Sequence, residues 1–115
     1  MMKKNKHQNQ SDHFFQLVYS IVYLIPKGKV TTYGAIAKCL GAPKSSRLVG
    51  YAMNNCHGII PKVPAHRVVN RNGLLTGKHH FSTPFEMREL LNQEGVDVIN
   101  DQVVDFKSKL WIPDL

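Results

Sequence analysis

The chain has 115 residues, 43% of them hydrophobic, with a formal charge of +7 and a pI near 9.6. That length supports one hydrophobic core and not two, and no apolar run approaches the roughly 18 residues of a membrane span. Met1 to Lys6 lacks the apolar stretch of a secretory signal, so a single cytoplasmic domain is expected.

The charge is divided along the chain. Residues 1–78 hold twelve Lys and Arg against Asp12 alone, a balance of +11, whereas residues 79–115 hold three against seven acids, a balance of −4. Such asymmetry points to a polyanionic partner, nucleic acid being the commonest, and the basic part should carry the binding surface. A merely soluble basic domain is the plain alternative.

Residues 1–10 are polar and read as a disordered basic tail preceding a domain over 11–115. From Ser11, a candidate N-cap, Phe14, Leu17, Val18, Ile21, Val22 and Ile25 recur at helical spacing until Pro26-Lys27-Gly28. Thr32 can cap a second helix through Leu40, ended by Gly41. After Pro43-Lys44, Ser45 or Ser46 can cap a third helix with Leu48, Val49, Ala52 and Met53 on one face. Two short helices around such a turn make a helix-turn-helix, whose later helix ordinarily enters a DNA groove.

Asn54 to Pro64 reads as a hinge loop. Arg67-Val68-Val69, the turn Asn70-Arg71-Asn72-Gly73 and Leu74-Leu75 read as a small hairpin or wing. Thr83-Pro84-Phe85-Glu86 has a capping-box pattern opening a helix to Glu94, and residues 96–106 alternate about Asn100-Asp101 as a closing hairpin. The fold class is therefore α+β, a single winged helix-turn-helix domain.

Six His and two Cys raise the question of a metal, but Cys56-His57 and His79-His80 are adjacent pairs without companions at zinc-ligand spacing, so neither metal nor other cofactor is expected. In a reducing compartment Cys39 and Cys56 read as buried or free thiols rather than a disulfide. A cysteine beside His66 could be activated as a nucleophile, but position 65 is alanine, whose methyl can neither attack nor ionise.

Four motifs occur in order: Val30-Thr31-Thr32-Tyr33-Gly34, Ser46-Arg47-Leu48-Val49-Gly50-Tyr51-Ala52-Met53, Pro64-Ala65-His66-Arg67-Val68-Val69 and Leu90-Leu91-Asn92-Gln93-Glu94-Gly95. Together, over about residues 14–106, they resemble the DNA-binding domain of the O6-alkylguanine-DNA alkyltransferases. With Ala65 where that family's acceptor cysteine stands, the chain is more similar to the alkyltransferase-like proteins, which lack the cysteine and most often have tryptophan there.

The resemblance implies a non-enzymatic protein that binds duplex DNA in the minor groove, flips O6-alkylguanine into a pocket and marks it for nucleotide excision repair; the sequence carries no sign of a dimer, so a monomer is expected. It implies that Arg47 is the finger filling the gap left by the flipped nucleotide, and that Tyr33 crowds the adjoining phosphate. Gly50 and Ala52 keep the helix surface small. Thr31, Thr32, Lys27, Lys29, Lys44, Ser45, Ser46 and Arg71 are candidate DNA contacts. The implied base pocket comprises Tyr33, Ala65, His66, Val68, Asn72, Gly73 and Lys78, with Ala65 making it roomier. His66 and Glu94 match residues that polarise the cysteine and are expected here as a structural remnant; Asn54 and Asn55 are candidates for a companion asparagine. Two rivals stand beside this reading: a sequence-preferring or architectural winged-helix module, and an alkyltransferase using Cys56 or another cysteine.

Overall fold

The computed structural model describes residues 6–114. Helix α1 spans Lys6–Val22, β1 Thr31–Thr32, α2 Tyr33–Cys39, α3 Ser46–Asn54, β2 Val68–Val69, α4 Glu86–Gln93, β3 Val98–Ile99, β4 Gln102–Val103 and α5 Phe106–Lys109. Short 3-10 turns lie at Ala65–Arg67 and Thr76–His80. Helix α1 thus starts five residues before Ser11. Residues 6–10 contain no Gly or Pro, and extending a formed helix is far cheaper than nucleating one. The remainder of the expected tail, residues 1–5, lies outside the described residues.

The apolar stripe of α1 buries Val18, Ile21 and Val22, and Ile25 follows in the chain. The Tyr19 hydroxyl donates to the Ala52 carbonyl at 2.7 Å, fastening α1 to α3. These side chains form one core with Ile36 and Ala37 of α2, Val49, Ala52 and Met53 of α3, and Cys56, Val63, Ala65 and Val68. A second core gathers Val30, Val69, Leu75, Met87, Leu91, Val96 and Val103. Burying a side chain of this size stabilises by roughly 1.5–3 kcal/mol.

The partition between the two cores is β2. Successive strand residues point to opposite faces, so Val68 enters one core and Val69 the other. This corrects the expected wing. Val68-Val69 pairs in parallel with Thr31-Thr32, rather than folding back on Leu74-Leu75, because a strand apolar on both faces suits burial on both sides. The expected turn is present: Gly73, at φ +76°, donates to the Asn70 carbonyl at 2.9 Å, and Asn70 Oδ1 accepts from the amides of Asn72 and Leu74. Leu74 nevertheless bridges to Gln102 instead of to β2. The architecture is a helix-dominated α+β domain with short strands.

The closing hairpin is as expected. Val98 pairs with Val103 and Ile99 with Gln102, and the connecting Asn100 and Asp101 have φ of 53° and 61°. Asn and Asp tolerate that left-handed conformation and match the twist of a two-residue hairpin. Helix α4 begins later than expected, because its capping groups fold the turn leading into it: Thr83 Oγ1 accepts from the Phe85 amide and Glu86 Oε1 from the Ser82 amide. Beyond α5 the chain returns beside β1, with Val30 donating to the Lys109 carbonyl and Trp111 to the Val30 carbonyl. No described helix is long and apolar enough to cross a membrane.

Candidate nucleic-acid interface

Thr32 caps α2, its Oγ1 accepting from the Ala35 amide at 3.0 Å, which makes Tyr33 the first helical residue. The Tyr33 ring packs against the first core and its hydroxyl lies 3.4 Å from Thr76 Oγ1. Gly77 permits this approach: a Cβ there would stand 3.2 Å from the Tyr33 hydroxyl. At the other end of α2, Gly41 adopts φ +73°, and the Ala42 amide returns to the Ala37 carbonyl. That reversal sends the chain through Lys44 and Ser45 into α3.

Because α3 buries Val49, Ala52 and Met53, its opposite stripe of Ser46, Arg47, Gly50, Tyr51 and Asn54 faces outward. This stripe, with Tyr33 of α2 and Thr76, Gly77 and His80 of the facing 3-10 turn, lines an open cleft of about 420 Å³. No carboxylate among the described residues lines it. Arg47 is exposed and has no ion-pair partner among the described residues.

Gly50 carries a further clue. Glycine within a helix costs about 0.5–1 kcal/mol relative to alanine, yet a Cβ at Gly50 would meet nothing within 4 Å. Packing inside this chain does not require the glycine; an approaching partner would exploit the missing side chain.

The other expected DNA contacts fall into three groups. Lys27, Lys44 and Arg71 are exposed, with Ser45 half-buried at the start of α3. Lys29 is committed to the Ser108 carbonyl at 2.9 Å, and Thr32 to its cap. Thr31 is a correction: it is fully buried in β1, its hydroxyl has no hydrogen-bond partner among the described residues, and it cannot reach a phosphate.

Of the residues expected in the base pocket, Tyr33 lines this cleft and the others lie outside its lining. Ala65 is 7% exposed within the first core, where its methyl packs with other apolar groups. Val68 is buried beside it. Asn72 and Gly73 meet the C-terminal elements instead: the Asn72 carbonyl accepts from Gln102 Nε2, and Gly73 lies against the Phe106 ring. Lys78 is drawn away to Asp101, Nζ to Oδ2 2.5 Å.

His66 and Glu94 do form a buried link. Glu94 Oε2 accepts from His66 Nε2 at 2.7 Å and from Arg67 Nη2 at 2.8 Å, while Oε1 accepts from Arg67 Nε at 2.9 Å and from the Gly28 amide at 3.3 Å. Arg67 Nη1 also reaches the Ile25 carbonyl at 3.0 Å. Burial works to raise the Glu94 carboxyl, but the Arg67 and His66 hydrogen bonds outweigh it and hold the group at about 2. Burial pushes His66 below its ordinary value against the pull of Glu94. At neutral pH the arrangement is a neutral imidazole and a guanidinium both donating to one carboxylate, which joins the end of α4 to the 3-10 turn and the loop before β1.

Neither thiol is placed as a nucleophile. Cys56 is 1% exposed, donates Sγ–H to the Met53 carbonyl, and is pushed by burial up to about 11, so thiolate is scarce near neutrality. Cys39 is half-buried on α2 and does not line the cleft. No cluster of three metal-ligating side chains occurs among the described residues.

Sequence reasoning missed Tyr51 and His80 as members of the cleft and left Asn54 and Asn55 unresolved. Tyr51 was recoverable, being one helical turn beyond Arg47 and therefore on the same face. Asn54 lines the cleft, whereas Asn55 Nδ2 is turned back to the Tyr51 carbonyl at 2.7 Å. Nothing local marked His80.

Comparison with known proteins places this geometry in context. Residues 13–96 match the family model described as 6-O-methylguanine DNA methyltransferase, DNA binding domain. The chain is 37% identical to alkyltransferase-like protein 1 of Schizosaccharomyces pombe over 108 residues, covering 89% of this chain and 97% of that protein. It is 36% identical to the DNA base-flipping protein of Escherichia coli over 115 residues, covering 96% and 83%. The crystal structure of S. pombe Atl1 in complex with damaged DNA containing O6-carboxymethylguanine aligns with a TM-score of 0.77 at 36% identity, over 89% of this chain and 97% of that one.

Proposed function

The chain belongs to the family of the 6-O-methylguanine DNA methyltransferase DNA-binding domain, and from that premise we propose that it recognises O6-alkylguanine in duplex DNA without repairing it. Helix α3 lies in the minor groove, Arg47 occupies the space of the extruded nucleotide, and the cleft between α3 and the Thr76–His80 turn receives the base. Tyr33, at the mouth of α2, crowds the adjoining phosphate. The complex then marks the site for nucleotide excision repair.

One observation carries the reading: Arg47, Gly50 and Tyr33, brought from two helices, converge on one cleft without a carboxylate. Extruding a base costs a few kcal/mol, less for a lesion that pairs poorly, so damaged sites are favoured before any contact is made. A planar guanidinium can stack in the vacancy and hydrogen-bond to the orphaned base, which an ammonium cannot. Exposed Lys27, Lys44 and Arg71 supply charge to phosphates irrespective of sequence. Gly50 lets the groove approach the helix backbone. The absence of transfer chemistry is supported by the Ala65 methyl and by the burial of the Cys56 thiol.

The test compares R47A with K44A on duplexes differing only in guanine or O6-methylguanine. R47A should abolish most of the preference for the lesion. K44A should weaken both duplexes alike and lower the salt slope by about 1. Equal effects of the two variants on lesion preference would remove Arg47 from the finger role.

A further inference from the structure

Resting on that lesion-binding reading, we propose that His80 reads the charge of the adduct, so that the cleft favours O6 substituents bearing an anionic group over neutral ones of the same shape, and does so more strongly as pH falls. Among the described residues, two side chains able to carry positive charge line the cleft, Arg47 on α3 and His80 on the 3-10 turn, and no acid lines it with them. Arg47 is occupied in the vacated stack when DNA is bound. His80 is then the cationic group left to meet a substituent projecting from the base.

The surroundings leave that role to His80. From α2 and α3 the ionisable groups lining the cleft are Tyr33, Arg47 and Tyr51. In the loop after α3, His57 stacks edge-on against Phe81 with ring centroids 4.7 Å apart. Burial first, and then the charge of His80, pushes His57 below its ordinary value, so His57 is a poor candidate for carrying charge here. Lys62 and Glu86 complete this neighbourhood, but Glu86 is engaged by the Ser82 amide at 2.8 Å and by Lys62 at 4.0 Å. Within its own turn, Lys78 is paired with Asp101 and His79 is exposed without lining the cleft.

Histidine changes charge between about pH 5 and 8, whereas a carboxylate on an adduct stays ionised across that range. An imidazolium facing such a carboxylate forms a charge-assisted hydrogen bond that a neutral adduct cannot match. The probes are duplexes carrying O6-carboxymethylguanine or its neutral amide, O6-carbamoylmethylguanine, with the guanine duplex as reference. Full-length protein is titrated by fluorescence anisotropy at fixed ionic strength, at about pH 6 and about pH 8. The ratio of the two lesion affinities cancels effects of pH on the protein as a whole.

The ratio should favour the carboxylate about fivefold more at the lower pH, the size of a good exposed ion pair. H80Q should leave the ratio flat, H80K should hold it high at both pH values, and H57Q and H79Q should behave as wild type. A flat wild-type ratio, or an unaltered profile in H80Q, with lesion preference over guanine intact, overturns the role of His80 alone. Loss of preference for both lesions over guanine overturns the lesion-binding reading and this inference with it.

Discussion

Replacing Glu94 by Gln keeps the shape of the side chain and removes the charge on which Arg67 and His66 converge. A carboxyl whose ordinary value is 4.5 and whose folded value is about 2 contributes about 3 kcal/mol to stability at neutral pH. A second route gives the same size: the side chains of Glu94 and Arg67 are 8% and 16% exposed, and removing one partner of a buried pair costs about 3–5 kcal/mol. The folded value is depressed, so the contribution is complete above the ordinary value of 4.5 and is lost as pH falls toward 2. His66 is also depressed, by burial, so its protonation in the unfolded chain draws stability down as pH falls below 6.5, in the same direction. Denaturant unfolding followed by the fluorescence of Trp111, which packs on the first core, reads both effects. E94Q should lose about 3 kcal/mol at pH 7, and by about pH 3 its gap to wild type should fall to less than half. A loss under about 1 kcal/mol at neutral pH, or a gap independent of pH, would refute the assignment of Glu94 as a buried charge centre.

Two further predictions follow from the cores. The hydroxyl of Thr31 is buried without a partner, so T31V should stabilise the protein by up to about 1 kcal/mol and leave DNA affinity unchanged; a fall in affinity would return Thr31 to the interface. Cys56 should resist iodoacetamide near pH 8 in the folded protein and react only on unfolding, and rapid native labelling seen by peptide mapping would contradict its protonated, buried state.

What the sequence made legible was local. The 3.6-residue stripe of α1, the Thr32 cap, the Gly41 reversal and the Asn100-Asp101 turn each depend on residues within a few positions of one another. Pairings between distant segments left no comparable trace. A strand of two residues has no periodicity, so the parallel match of Val68-Val69 with Thr31-Thr32 was hidden, and with it the burial of Thr31. The Lys78–Asp101 pair joins two segments that no spacing rule connects, which is why Lys78 seemed available to a base. For the site, the family motif identified Arg47, Gly50 and Tyr33, and these meet in the cleft. The same motif named Ala65, His66 and Val68, which are buried and lie outside the lining of that cleft, a placement that adjacency in sequence does not indicate. His80 became visible only when the 3-10 turn was set opposite α3.

The central claim, lesion recognition without transfer, is tested most directly by one paired measurement. Anisotropy titration compares otherwise identical duplexes with guanine or O6-methylguanine, and the recovered protein is then weighed by mass spectrometry. Tighter binding to the lesion with an unchanged protein mass is the predicted result. A gain of one methyl group would contradict it by showing transfer, and equal binding to both duplexes would contradict it by showing no recognition.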